Sequence, residues 1–334
     1  MGLVTRLRYS LLNLSFGIAD PANHSAPLGF EYYGRSQSLS LRSENDAKNV
    51  SELVHEDLDF TMTGDLHVGR YRIDPGEEIQ LENFDPDDTS GFAGKSEEER
   101  DESKKLNEKL RELQEMLYAE HKMKVLVVLQ AVDTGGKDGV IHRVFEGVNP
   151  QGVQVAHFGV PTPEELDHDF LWRHHKRVPG KGELVIFNRS HYEGVLVERV
   201  HKLVSEEVWR RRYREINDFE RLLSEEDTVI LKFYLHISKD EQKKRLQERL
   251  ADPTKEWKFS NNDVPERKHW DEYMTAYEDA LSKTSTDWAP WHLIPSNHKW
   301  YRDLVVSRII IKAMEKMDLH YPKMEKDRSC IIIK

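Results

Sequence analysis

Leu126-Val-Val-Leu-Gln-Ala-Val-Asp133-Thr-Gly135-Gly136-Lys137-Asp138-Gly139 is the stretch on which the fold turns. A run of β-branched and aliphatic residues reads as a buried strand, and it stops at a glycine pair followed at once by a lysine. The residues beyond have helical character. Strand, glycine turn and helix start in that order bring backbone N–H groups, a helix N-terminus and an ammonium around one small volume, which suits a polyphosphate group. A second segment, Leu184-Val-Ile-Phe-Asn188-Arg189-Ser190-His191-Tyr192-Glu193, repeats the design of an apolar strand with a polar, charged tip. Two such strand ends in one chain argue for phosphoryl transfer.

Outward from these tips, the pattern is α/β. Strands are expected at 124–131, 183–187, 228–236 and 291–294, with a weaker one near 153–158, and helix-length connections separate them. That alternation is the signature of a parallel sheet with crossover helices. Leu106, Leu110, Leu113 and Leu117 predict an amphipathic helix over residues 97–121. Residues 238–285 are rich in Lys, Arg, Glu and Gln and carry Trp257 and Trp270; two polar helices there read as a mobile helical lid. The domain boundaries drawn from this are an extension at 1–62, a catalytic domain at 63–310 that includes the lid, and a C-terminal tail at 311–334.

Composition narrows the function classes. The chain has 334 residues, 33% of them charged, and a net charge of −11, so as a whole it repels nucleic acid and anionic membrane. A bound polyanion must then lie in a local basic channel. Arg173, Lys176, Arg177 and Lys181 before the second strand, and Arg199, His201, Lys202, Arg210, Arg211, Arg212 and Arg214 after it, supply candidates, against the plainer reading of a solvated helix face with ion pairs. No apolar run approaches the ~18 residues that would cross a bilayer. A single cysteine, Cys330, rules out an internal disulfide and favours an intracellular, cytoplasmic setting. Arg6 and Arg8 in an acid-free start allow weak organellar import, with an ordinary tail as the alternative.

The residue chemistry at the tips follows. Lys137 reaches terminal phosphates, while Gly135, Gly136, Asp138 and Gly139 form the phosphate-binding turn. Asp133 either holds a hard cation or orients the attacking oxygen. Asn188 and Glu193 complete a metal shell, and Arg189 neutralises charge on the moving phosphoryl group. As a P-loop the match is imperfect, with Ala131 at the first glycine position and Asp138 in place of Ser or Thr. His174, His175, His191 and His201 lack the spacing of a transition-metal site, and Ser190-His191 lacks the glycine elbow of a nucleophile.

Taken together, Asp85-Pro-Asp-Asp-Thr-Ser-Gly-Phe92, Asp133-Thr-Gly-Gly-Lys-Asp-Gly139, Val148-Asn-Pro-Gln-Gly152, Pro161-Thr-Pro-Glu-Glu-Leu166, Phe187-Asn-Arg-Ser-His-Tyr-Glu193 and Asp252-Pro-Thr-Lys-Glu-Trp-Lys-Phe259 resemble the polyphosphate kinase type 2 family. Asn188 in the fifth block resembles the branch that accepts nucleoside monophosphates as well as diphosphates. The resemblance implies a P-loop kinase fold similar to thymidylate kinase, with a helical lid. It also implies Mg²⁺, with Mn²⁺ as a substitute, and reversible transfer of a terminal phosphoryl group from inorganic polyphosphate to AMP or ADP. Adenine nucleotides, and guanine nucleotides second, are the expected partners, in a homo-oligomer (dimer or tetramer). On this resemblance Asp133 and Lys137 are the first-strand residues and Asn188, Arg189 and Glu193 their partners. By charge alone, Arg173, Lys181 and Arg199 are expected to line the polyphosphate track. Gly194 departs from the monophosphate-using branch, which has an acid there, and bears on metal affinity and on AMP-versus-ADP choice. The alternatives are an ATP-dependent nucleoside monophosphate kinase and a non-catalytic polyphosphate-binding scaffold.

Overall fold

The computed structural model describes residues 68–92, 96–254, 257, 259–260 and 263–324. The expected extension at 1–62 lies outside the described residues. Five strands, β1 Lys124–Gln130, β2 Val153–His157, β3 Leu184–Asn188, β4 Thr228–His236 and β5 Trp291–Pro295, form one sheet in the order β2-β3-β1-β4-β5. Every pairing is parallel, with Val127 of β1 opposite Ile186 of β3 and Leu231 of β4. The helices are α1 Ser96–Glu120, α2 Lys137–Val144, α3 Pro163–Leu166, α4 Trp172–His175, α5 Val197–Val200, α6 Glu206–Glu225, α7 Lys239–Ala251, α8 Asp263–Glu266, α9 Trp270–Thr284 and α10 Lys299–Lys316.

Strands β1, β3, β4 and β5 are covered on both faces, which is why they are largely apolar without alternation, while the edge strand β2 is mostly exposed. Successive side chains of a strand point to opposite faces. Val125, Val127 and Leu129 of β1 accordingly pack in the layer with α1, α2 and α10, while Leu126 and Val128 pack in the layer with α6 and α9. Leu110, Leu113 and Leu117 are the buried stripe of α1. Trp209, Tyr213, Ile216, Phe219 and Leu223 make the same stripe on α6 at three- and four-residue spacing. Segment 68–92 runs along the β5 edge: Ile73 N–H donates to Trp291 O (2.9 Å), and Arg72 bridges His292 in antiparallel fashion. The start of that edge, at Trp291 and His292, is therefore covered by the chain itself.

Two expected boundaries change. Residues 238–285 are not one lid. α9 buries Ala276, Tyr277, Ala280 and Leu281 in the core, so it is a packed part of the domain and not one arm of a free lid. The tail expected from 311 begins later, because α10 continues to Lys316 and buries Ile311, Ala313 and Met314. Among the described residues no helix is long and apolar enough to cross a membrane.

Candidate active site

Parallel α/β sheets bind ligands beyond the carboxyl ends of their strands. Here β1 and β3 are neighbours, and their tips, 131–138 and 188–193, stand side by side. The β1 tip is fixed by local sterics. Gly136 has φ +110°, and a Cβ on Gly135 would stand 2.4 Å from the Ala131 Cβ and 2.9 Å from Val132 O. Ala131 itself does not need positive φ, so its methyl is tolerated, and it is this methyl that demands glycine at 135. The turn closes with Gly135 N–H donating to Val132 O (3.0 Å), and the Lys137 ammonium folds back to Ala131 O (2.8 Å). Burial, with Arg189 nearby, lowers the Lys137 pKa below the ordinary lysine range.

The β3 tip is fixed from beneath. Lys232 of β4, fully buried, donates to Glu220 Oε2 (2.6 Å), the Tyr192 hydroxyl (2.8 Å) and Thr284 O (2.7 Å). Tyr192 donates to Glu220 Oε1 (2.9 Å), and the His191 ring sits against the same oxygen at 3.0 Å. Removing one partner of such a buried pair costs roughly 3–5 kcal/mol. His191 is thus spent on packing the tip, and Ser190 Oγ accepts from Tyr192 N–H as a helix cap. Between these anchored residues, Arg189 adopts φ +63°, a costly conformation for a long side chain that persists where neighbours over-determine it. Its guanidinium pairs with Asp133 (3.3 Å). Burial works against the Arg189 charge, but Glu193 and Asp133 hold its pKa above the ordinary value. Burial raises the Glu193 pKa, against the pull of Arg189 and Lys137. The Gln130 amide, in the orientation that satisfies both its ends, donates to Glu193 Oε1 (3.2 Å) and accepts from Ser190 N–H (3.2 Å).

Two cavities meet at this pair of tips and share Asp133, Arg189, Ser260 and Asp263. One, of about 590 Å³, runs over the glycine turn. Gly135, Gly136, Lys137 and Gly139 form its floor, and Arg245, Arg249, Lys299 and Arg302 stand around it. The other, of about 440 Å³, is walled by Trp270, Tyr273 and Tyr277, with Ala131, Val132 and Leu196 as apolar floor. At its rim His201 Nε2 lies 2.8 Å from Glu266 Oε1, which also accepts from the Tyr273 hydroxyl.

The expected site residues divide. Asp133, Gly135, Gly136, Lys137, Asp138, Gly139, Asn188 and Arg189 line the first cavity, and Asp133, Arg189 and Glu193 the second. Lys181 does not join them. It precedes β3 in the turn where Gly182 N–H donates to Met123 O, at the amino edge of the sheet, a strand length from Asn188. Arg173 is taken up by Glu165 (3.1 Å) and Gly159 O (2.8 Å), and Arg199 by Asp279 (2.6 Å), Tyr213 and the Trp209 ring. Neither lines either of these two cavities, so the three residues expected to form a basic track do not converge on the glycine turn. On α6, Arg210 pairs with Glu206 and Arg211 with Glu215 within the helix, while Arg212 reaches Glu198 (2.7 Å). A Cβ on Gly194 would stand 3.0 Å from Phe170 and from Arg212 Nη1, which also donates to Gly194 O (2.9 Å), so an acid there would lie beside Arg212.

Four basic residues of the first cavity were not foreseen: Arg245, Arg249, Lys299 and Arg302. Their signal is positional. Gln242, Arg245 and Arg249 share one face of α7, and Lys299 and Arg302 lie in the first turn of a helix whose buried face is mainly apolar from Leu304 onward. As metal donors, Asp133 and Glu193 offer two carboxylates that both act on the Arg189 charge, and Asn188 an amide oxygen, one of its N–H groups being spent on Asp138 Oδ1 (2.9 Å). Among the described residues no three His, Cys, Asp or Glu side chains converge. The set fits a hard cation that takes one or two carboxylates and completes its shell with water and phosphate oxygens.

Comparison with known proteins agrees with this geometry. The family model for Polyphosphate kinase 2 matches residues 93–322. An AMP/ADP-polyphosphate phosphotransferase of Meiothermus ruber is 56% identical over 264 residues, 79% of this chain and 99% of that protein. An ADP-polyphosphate phosphotransferase of Rhodopseudomonas palustris is 42% identical over 270 residues, covering 77% and 93%. The crystal structure of polyphosphate kinase 2 from Arthrobacter aurescens superposes with a TM-score of 0.77 at 43% identity, covering 80% of this chain and 96% of that one. A parallel five-stranded sheet with a glycine turn at the tip of its central strand, and a match over more than two thirds of the sequence, lead to one assignment: the chain belongs to the polyphosphate kinase 2 family.

Proposed function

We propose that the protein moves the terminal phosphoryl group of inorganic polyphosphate to AMP and ADP, and that the reaction runs in both directions. The observation that carries this reading is the pair of unlike cavities joined at Asp133 and Arg189. A linear polyanion has no base to stack and needs cations and backbone N–H groups, which the glycine-lined cavity supplies. A nucleotide needs an apolar and aromatic surface for its base, and Trp270, Tyr273 and Tyr277 supply it in the neighbouring cavity. Donor and acceptor phosphates then face each other across the shared wall.

Phosphoryl transfer asks the protein for positioning and charge neutralisation more than for covalent chemistry. In this reading a terminal phosphate oxygen of the nucleotide attacks the end phosphorus of the chain. The bond to the chain's bridging oxygen breaks, and the shortened chain keeps that electron pair. Lys137 neutralises the leaving oxygen, and Arg189 braces the charge on the group in flight. Held by Asp133, Glu193 and Asn188, Mg²⁺, or Mn²⁺ in its place, supplies charge neutralisation on the phosphate oxygens when bound. One phosphoanhydride replaces another, so neither direction is strongly favoured. Two curated relatives named for polyphosphate transfer, one to AMP/ADP and one to ADP, support the substrate pair. The reading also takes in guanine nucleotides as weaker acceptors, a homo-oligomer and a cytoplasmic location.

The test is formation of ADP and ATP from AMP, long-chain polyphosphate and Mg²⁺, with ADP plus polyphosphate run alongside. Product from AMP supports the full reading. Product from ADP alone restricts the acceptor, and no product from either overturns the reading in favour of an ATP-using kinase or a binding scaffold.

A further inference from the structure

We infer that Arg245 is a positioning residue of the phosphate turn, one that fixes the glycine backbone and binds no substrate itself. The inference rests on the reading of the glycine-lined cavity as the phosphate-donor site. A guanidinium has five N–H donors and no acceptor. In Arg245 every one is spent on protein. Nε donates to Glu241 Oε1 (2.8 Å), Nη1 to Thr134 O (3.0 Å) and Gly135 O (3.3 Å), and Nη2 to Ser296 O (2.6 Å) and Asn297 O (3.0 Å). The residue is 5% exposed. Arg302 stands over the same turn with a different disposition. Its Nε and Nη2 go to Asp303 Oδ1 (2.8 and 2.6 Å), while Nη1 lies over Gly136, where a Cβ would come within 1.9 Å of it. Two arginines border one cavity; one is saturated by carbonyls and the other presents an edge to the turn.

Saturation gives Arg245 its role. A trans peptide directs its C=O and the following N–H to opposite sides. Holding Gly135 O on the guanidinium therefore turns the Gly136 N–H the other way and fixes that peptide plane. Two adjacent glycines have wide backbone freedom, so the crowding that selects glycine at 135 does not by itself fix the plane of the peptide that follows. The far side of the clamp is itself anchored. Ser296 N–H donates to His236 O (2.8 Å), Asn297 N–H to Pro86 O (3.0 Å), and Asn297 Oδ1 accepts from Ser238 N–H (3.0 Å). One turn before Arg245, Gln242 donates to Asp133 O (3.1 Å). The inward face of α7 is polar because it grips the β1 turn and the loop that follows β5.

The experiment uses the full chain with Arg245→Gln and Arg245→Lys. Lysine keeps the charge but not the planar fork, so it decides the matter if the glutamine variant does not fold. Two measurements are made: amide hydrogen exchange of the ligand-free protein, and steady-state kinetics with polyphosphate and ADP. Expected are exchange about tenfold faster at 131–137 with β1 and β4 unchanged, kcat down about 100-fold, and a polyphosphate KM and salt dependence close to wild type. Retained kcat with a polyphosphate KM raised tenfold and a shallower salt dependence would make Arg245 a phosphate ligand and overturn the inference. Unchanged exchange at 131–137 overturns it as well. Failure of the wild-type chain to use polyphosphate overturns the substrate reading alone, since the exchange measurement still judges the clamp.

Discussion

The two cavities share a wall and differ in almost everything else. The glycine-lined one has a floor of backbone and cations brought from four separated stretches of sequence, at 137, 189, 245–249 and 299–302. The aromatic one is walled by α9, with Trp270, Tyr273 and Tyr277 at helical spacing on a single element. The first suits a ligand recognised by charge, the second a ligand recognised by shape. Of their common residues, Asp133 and Arg189 are the groups that a transferring phosphoryl would pass in the proposed reaction. An enzyme that moves one phosphate between an extended polyanion and a nucleotide requires that division, and the difference makes it testable.

The largest break comes at the wall. Lys137→Ala should lower kcat/KM by about 10²–10³-fold, the usual loss for a charge-stabilising donor, since the proposed mechanism places this lysine at the leaving group. Circular dichroism and thermal unfolding should stay near wild type, and near-normal turnover would defeat the proposed mechanism.

Acid should weaken the sheet that holds the cavities in register. Burial lowers the pKa of His292 and His236 to about 4 and of His174 to about 2. Below pH 6.5 the unfolded chain takes up protons that these folded imidazoles refuse. Stability therefore falls as pH drops from 6.5, to about 4 for His292 and His236 and on toward 2 for His174. Each buried histidine contributes a loss of roughly 2 kcal/mol at pH 5 relative to pH 7. Urea unfolding at the two pH values checks the sum, and His292→Gln should flatten the dependence.

Single-cavity variants should separate the substrates. Arg302→Met is expected to raise the polyphosphate KM about tenfold or more, with the AMP and ADP KM values within threefold, because a charge-assisted contact contributes roughly 1.5–3 kcal/mol. Trp270→Ala should do the reverse at about tenfold on the nucleotide KM, the range of a lost aromatic contact. Equal effects of both variants on both substrates would erase the division between the cavities. The smallest effect belongs to Gly194→Asp. A Cβ there would stand 3.0 Å from Arg212 Nη1 and from the Phe170 ring. We expect a stability loss of about 1 kcal/mol and an unchanged Mg²⁺ dependence in an activity titration; a shifted metal optimum would return this position to the site.

Local pattern made much of this legible. The apolar runs located β1, β3, β4 and β5 to within two residues, because strands buried on both faces must be largely apolar, and the exposed edge strand β2 gave the weaker signal. The glycine turn and the polar tip of β3 were readable because their neighbours in sequence are their neighbours in space. The basic track was not. Arg173, Lys181 and Arg199 were chosen for proximity to β3, but charge near a strand in sequence says nothing of which end of the sheet it occupies, as Lys181 at the amino edge shows. The lid was over-extended for a related reason. α9 is polar on one side, yet its Ala276, Tyr277, Ala280 and Leu281 form a core face that becomes recognisable only once α6 lies against it.

The sequence by itself determined the parallel α/β class, the glycine turn with Lys137, and the polar tip from Asn188 to Glu193, since each depends on the sterics and periodicity of a short segment. The tertiary structure alone decided that Arg245 and Arg302 stand over residues more than 100 positions earlier. It also decided that Lys232 anchors the β3 tip, and that the cavities meet at Asp133 and Arg189. Long-range convergence is set by strand order and crossover direction, which leave no mark on the local spacing of residues.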